Sequence, residues 1–257
     1  MSYYCKLYFL KGEKMAYRYD TDLEFLRSVP NKSLDDLVDL FKKEASLTEG
    51  LSMDEKYKRY YPDHQKYIER IMEEIQLFGG NSFANLFRGN QGVQYKEILC
   101  DVCDKMKVNY SKSADAQHIE QDLLNKILDD HLKKLNAREL EEFLKELNLV
   151  DKTKTVISYT PQAVSAILQA AIKAGGFASY QIILITVNAV WKAIFGTGLK
   201  LAANATITRV VGVLAGPVGW AITGAWTAAD LAGPAYRITM PACLLIAKLR
   251  MESQQNN

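Results

Sequence analysis

Acidic residues all but vanish from the end of this 257-residue chain: from Thr155 onward there are two Asp/Glu against seven Lys/Arg, whereas 28 Asp/Glu and 25 Lys/Arg precede that point. The formal net charge of +2 therefore hides a basic, apolar C-terminal part and an acidic N-terminal part. An asymmetry of this kind suggests a membrane or anionic surface for the basic part, or else a buried helical core that needs few charges. Cysteine is scarce as well. Cys5, Cys100, Cys103 and Cys243 are too few and too scattered for a disulfide framework, which points to a reducing compartment. The opening MSYYCKLYFLKGEKMAYRYD lacks the basic start, long apolar run and small-residue cleavage site of a signal peptide. The expected location is the cytoplasm or the cytoplasmic face of the inner membrane, with residues 1–14 as an optional arm before Met15.

Reaction chemistry is missing too. No GxxxxGK[ST] phosphate loop, GxSxG elbow or helix-opening GxGxxG occurs. His64, His118 and His131 are far apart and form no metal-binding pair, and Cys100-Asp-Val-Cys103 has no second pair to complete a zinc site. That CxxC sits within the apolar stripe Ile98, Leu99, Val102 and Met106, so it reads as core cysteines. The expectation is a non-enzyme without metal or cofactor.

What remains is helical periodicity. Ser33 and Asp36 suggest a capping box ahead of the stripe Leu34, Leu37, Val38 and Phe41. A further helix should begin near Asp63, bury Ile68, Ile71, Met72 and Ile75, and stop at Gly79-Gly80. Residues 95–107, 118–133 and 137–148 repeat the pattern, the last with Asn136 and Glu139 as caps. Strand-like alternation is short throughout. The fold class is all-α: a charged N-terminal helical domain over 15–150, a hinge at 151–160, an apolar Gly/Pro-punctuated helical bundle over 161–251 suited to membrane insertion, and a polar tail at 252–257.

Thr160-Pro161 should start the apolar part, since proline is tolerated at the first helical position. Breakers at Gly175-Gly176, Gly196-Thr-Gly198, Gly216-Pro217 and Gly233-Pro234 then divide it into helices near 161–174, 177–195, 199–215, 218–232 and 235–251. Two uncharged runs, Ala174–Trp191 of 18 residues and Val210–Ala229 of 20, reach the length of a membrane span. The polar residues Gln181, Thr186, Asn188 and Asn204 either satisfy one another in a helical core or line an aqueous path. Gly212 and Gly216 form a GxxxG pair and, with Gly219, allow close helix packing. Lys192, Lys200 and Arg209 would all lie near the far turn of a hairpin made from the two runs, which argues against fixed insertion.

One segment suggests ligand capture. Residues 56–67 interleave Lys56, Lys58, Arg59, His64 and Lys66 with Tyr57, Tyr60, Tyr61 and Tyr67. Basic groups beside aromatic faces suit single-stranded nucleic acid or a nucleotide, though a solvated helix face above packed tyrosines gives the same pattern. Nearby, the glycine-rich stretch 79–89, which holds Asn81, Ser82 and Arg88, either offers backbone amides to an anion at a helix start with Arg88 as counter-charge or only shapes a turn.

The stretches FGGNSFANLFRG (78–89), YKEILCDVCDKMKV (95–108), IEQDLLNKIL (119–128), GPVGWAITG (216–224) and GPAYRITMPACLLIAKLR (233–250) resemble the bacterial YaaW-like family, sometimes labelled ubiquinol-cytochrome c chaperone-like. YRYDTDLEFL (17–26) resembles the short module that begins many members. The resemblance implies assembly of respiratory complexes and carries no catalytic residues. The two-part layout also resembles membrane effectors of bacterial anti-phage defence, oligomeric pores or ion channels gated by a nucleotide or nucleic-acid ligand. That is the leading expectation, with a homo-oligomer, membrane lipid and an operon-encoded protein as partners. A soluble chaperone-like assembly factor is the alternative.

Overall fold

The computed structural model describes residues 17–43, 50–79, 92–149, 159–199 and 236–255. Every regular element among them is helical. In chain order these are α1 (Asn31–Lys43), α2 (Gly50–Met53), α3 (Glu55–Tyr60), α4 (Ile68–Gly79), α5 (Tyr95–Lys105), α6 (Ala116–Leu132), α7 (Ala137–Glu146), α8 (Pro161–Ala174), α9 (Gly176–Phe195) and α10 (Tyr236–Gln255), with short 3-10 turns at Glu24–Ser28 and His64–Tyr67. The expected arm at 1–14, most of the expected hinge, the helices near 199–215 and 218–232, and the residues Arg88, Asn204, Gly212, Gly216 and Gly219 lie outside the described residues.

Local chemistry explains most helix boundaries. The Asn136 side chain accepts from the backbone amides of Arg138 and Glu139, and Glu139 bonds back to the Asn136 amide at 2.8 Å, the reciprocal capping box expected from sequence. Thr160 caps α8 through the Ala163 amide, with Pro161 at the first helical position. Gly175 and Gly176 both adopt positive φ, at 74° and 73°, and so break α8 from α9. One boundary differs from expectation. Helix α1 starts at Asn31, and Ser33 lies inside it with its amide bonded to the Pro30 carbonyl at 2.9 Å. Pro30, with its fixed φ, sets the start before the Ser33–Asp36 pair is reached.

Two apolar clusters form the interior. The smaller unites Leu128 and Leu132 of α6, Leu140, Phe143, Leu144 and Leu147 at α7, Val164, Leu168 and Ile172 of α8, and Ile182 and Ile185 of α9. The larger joins the 3-10 turn and α1, α4, α5 and α6 to Ile183, Leu184, Val187, Val190 and Trp191 of α9 and to Ile238–Leu249 of α10. Helix α9 thus feeds both clusters, which is why it is apolar almost all round. Helix α10 packs against α1, α4, α5, α6, α9 and the 3-10 turn. Every residue from Ile238 to Leu249 is buried. Sequence composition divides the chain into a charged and an apolar part, but packing crosses that division, because the last helix forms the centre around which the charged helices assemble.

Candidate functional site

The basic-aromatic segment begins at Asp54, whose carboxylate caps α3 by accepting from the Lys56 and Tyr57 amides at 2.8 and 3.1 Å. With α3 fixed in this way, its side chains separate by depth. Tyr57 turns inward and meets Tyr67 edge-on at 5.5 Å between ring centroids. Tyr67 is buried, and burial raises its hydroxyl pKa. Its hydroxyl lies 2.5 Å from His64 Nδ1, while His64 Nε2 lies 2.7 Å from Asp35 Oδ1, so the buried imidazole is held from both sides. Lys56, Lys58, Arg59, Tyr60, Tyr61 and Lys66 all remain exposed. Arg59 lies over the Tyr60 ring at 5.4 Å and Lys42 of α1 over the Tyr61 ring at 4.8 Å. The interleaved pattern therefore resolves into two inward tyrosines and two surface tyrosines, each of the latter carrying a cation on one face, with Tyr61 also meeting the Tyr57 and His64 rings at 5.4 and 5.9 Å between centroids.

The polar residues of α9 face a different environment. Gln181, Thr186 and Asn188 are all buried. The Thr186 hydroxyl donates to the Ile182 carbonyl one turn earlier at 2.8 Å. Asn188 Oδ1 accepts from the Leu199 amide at 2.8 Å, tying down the chain after the left-handed Gly196 that ends the helix. Gly198 lies so close that an added Cβ would sit 3.0 Å from the same Asn188 oxygen. Thr186 and Asn188 thus bond within the chain.

A third constellation escapes sequence reasoning. Arg250 of α10 is bidentate on Glu120 of α6, with Nε 3.0 Å from Oε2 and Nη2 3.1 Å from Oε1, and Nη2 also donates to the Asp22 carbonyl at 2.8 Å. The Tyr95 hydroxyl donates to Glu120 Oε1 at 2.8 Å, and Asp20 receives the Tyr95 amide at 2.6 Å. Phe25 supplies an aromatic face 4.4 Å from the guanidinium. Burial raises the Glu120 carboxyl pKa, and the Arg250 charge opposes that rise. Two residues before Arg250, the fully buried Lys248 places its ammonium 3.2 Å from Glu252. Lys248 and Glu252 are one helical turn apart, but the partners of Arg250 are spread across the chain, so no local motif announces them.

Cys103 lies on the buried face of α5, where burial pushes its thiol pKa up to about 12, and burial raises that of Cys243 as well. Such thiols stay protonated and react poorly. Cys100 is half-buried and its carbonyl accepts from the Tyr110 hydroxyl at 3.2 Å. Among the described residues no group of three or more His, Cys, Asp or Glu is arranged to hold a metal ion.

Comparison with known proteins matches residues 63–243 to the family model described as ubiquinol-cytochrome C chaperone. A UPF0174 protein of Helicobacter pylori strain J99 is 49% identical over 95% of this chain and 96% of its own length. A UPF0174 protein of a second Helicobacter pylori strain is 45% identical over 80% of this chain and 98% of its own length. The UPF0174 protein YaaW of Escherichia coli strain K12 is 31% identical over 91% of this chain and 95% of its own length. No solved structure matches.

Proposed function

Because the chain belongs to the UPF0174 family and matches the ubiquinol-cytochrome C chaperone model over most of its length, we propose that it is a chaperone-like assembly factor that acts by binding a protein client rather than by catalysis. One observation carries this reading. Helix α9 is long and apolar enough to cross a bilayer, with a mean hydropathy of 1.3, yet 67% of that stretch is buried inside the folded chain. Its apolar side chains face two protein clusters, and Thr186 and Asn188 bond internally. A helix enclosed in this way has no need of lipid, and its uniform apolarity follows from burial on two sides. The family model's name suggests ubiquinol-cytochrome c as the client class, and the place of action proposed for this chain is the cytoplasm or the cytoplasmic face of the inner membrane.

The gated pore of anti-phage type is the second reading, favoured by the length and composition of α9 alone. It requires α9 to leave its clusters and self-associate in lipid. The two readings separate in one experiment: purification without detergent, followed by incubation with dye-loaded liposomes, with and without nucleotides or short oligonucleotides. A soluble protein that leaves the dye enclosed supports the assembly factor. Ligand-dependent dye release overturns it in favour of the pore.

A further inference from the structure

The surface formed by α3 and the turn after it does not contribute to the buried clusters through its outward residues, and its chemistry is specific. Three carboxylates around it are engaged: Asp54 caps α3 and lies 3.7 Å from Arg70, Asp63 accepts from Asn31 at 2.8 Å, and Asp35 meets His64 at 2.7 Å. Glu55 is the acidic residue of α3 itself, placed in the first turn where it favours the helix. By contrast Lys56, Lys58 and Lys66 are exposed and have no carboxylate within ion-pair distance among the described residues. Beside them Tyr60 and Tyr61 are 37% and 48% exposed; the other exposed aromatic residues among the described ones, Tyr19 and Phe177, have no comparable cluster of basic side chains in the adjoining sequence. Arg59 and Lys42 each cover a face of one ring, which brings positive charge and stacking surface to the same place.

We propose that this surface binds single-stranded nucleic acid, with Tyr60 and Tyr61 stacking on bases and Lys56, Lys58, Arg59 and Lys66 neutralising the adjacent phosphates. Exposed cations alone would bind any polyanion through counterion release. The two rings turn a general electrostatic attraction into one that needs an unpaired base, because each base offers a π-face only when it is not enclosed in a duplex. Sequence preference is not built in, since stacking is tolerant of base identity. None of the residues assigned to this surface belongs to α9, so this inference stands or falls independently of the assembly-factor reading.

The test uses the full chain and a fluorescein-labelled twelve-nucleotide oligothymidine, read by anisotropy in low salt, with heparin and a duplex of the same length as competitors. Wild type should bind and should weaken steeply as salt is raised. Lys58→Glu with Arg59→Glu should weaken binding at least about tenfold, and Tyr60→Ala or Tyr61→Ala about fivefold or more, consistent with the loss of one stacked base. Tyr60→Phe keeps the ring and should bind like wild type. Far-ultraviolet circular dichroism checks that each variant remains helical. The proposal is overturned if the oligonucleotide does not bind, if the tyrosine variants bind as wild type does, or if heparin and duplex compete as well as the single strand.

Discussion

Helices α9 and α10 are each 20 residues long, and they reach the interior by opposite routes. Helix α9 carries a single charged residue, Lys192, near its end, and its composition alone would let it span a membrane. Helix α10 carries Arg237, Lys248, Arg250 and Glu252, yet its middle is buried without a break. The difference lies in what each helix meets. Helix α9 passes between two apolar clusters and needs no polar partners along most of its length. Helix α10 runs among the charged N-terminal helices, and they supply Glu120 and the Asp22 carbonyl to match its Arg250. Low charge in a helix therefore marks two-sided burial here, and charge in a helix marks whom it is buried with. A buried ion pair of this sort adds little net stability, because desolvation offsets most of its attraction.

The largest test of this contrast removes the partner and leaves the charge. Glu120→Ala removes the carboxylate that balances the mostly buried Arg250, leaving it the Asp22 carbonyl and leaving the Tyr95 hydroxyl the Cys243 carbonyl, and should cost about 3 kcal/mol in urea unfolding. Glu120→Leu combined with Arg250→Met should be far less damaging than the sum of the single changes. A second test treats the two helices alike. Leu184 of α9 and Leu244 of α10 are both fully buried. Truncation of either to Ala should cost about 2–5 kcal/mol in detergent-free solution. If Leu184→Ala is neutral while Leu244→Ala is costly, α9 is not part of the folded core and the comparison fails.

A pH test bears on the helices that surround α10. Glu74 of α4 is buried beside Arg70, and burial outweighs the arginine to push its pKa from 4.5 up to about 7. A carboxyl whose pKa is raised on folding favours the folded state in its protonated form. Its contribution is complete below pH 4.5 and is lost as pH rises through about 7. Stability should therefore decline across that interval by at most about 3 kcal/mol on this account. Glu74→Gln should flatten the profile there, and an unchanged slope would show that Glu74 titrates normally. The smallest expected effect is local. Asn136→Ala removes the α7 capping box and should cost about 1 kcal/mol, with no bearing on how α9 and α10 are enclosed.

Much of the fold was legible in the sequence because its signals are local. The stripe Leu34, Leu37, Val38 and Phe41, the Asn136–Glu139 box, the Thr160-Pro161 start and the Gly175-Gly176 break all act within a few residues. The place of α10 was not legible, since Glu120 and Arg250 lie 130 residues apart and neither belongs to a motif. Composition sets the last helix with the apolar part, whereas it packs both against α9 of that part and against the charged helices. The candidate surface was half legible. Interleaving of basic and aromatic residues over 56–67 locates it, but only the inward turn of Tyr57 and Tyr67 shows that Tyr60 and Tyr61 are the exposed rings of the segment.

The most direct test of a core shared across the chain is to express residues 1–150 alone and follow urea unfolding by circular dichroism beside the full chain. Without α10 the charged helices lose the element they surround, so the fragment should lack a cooperative transition while the full chain shows one. A fragment that unfolds cooperatively with the stability of the whole would contradict the account.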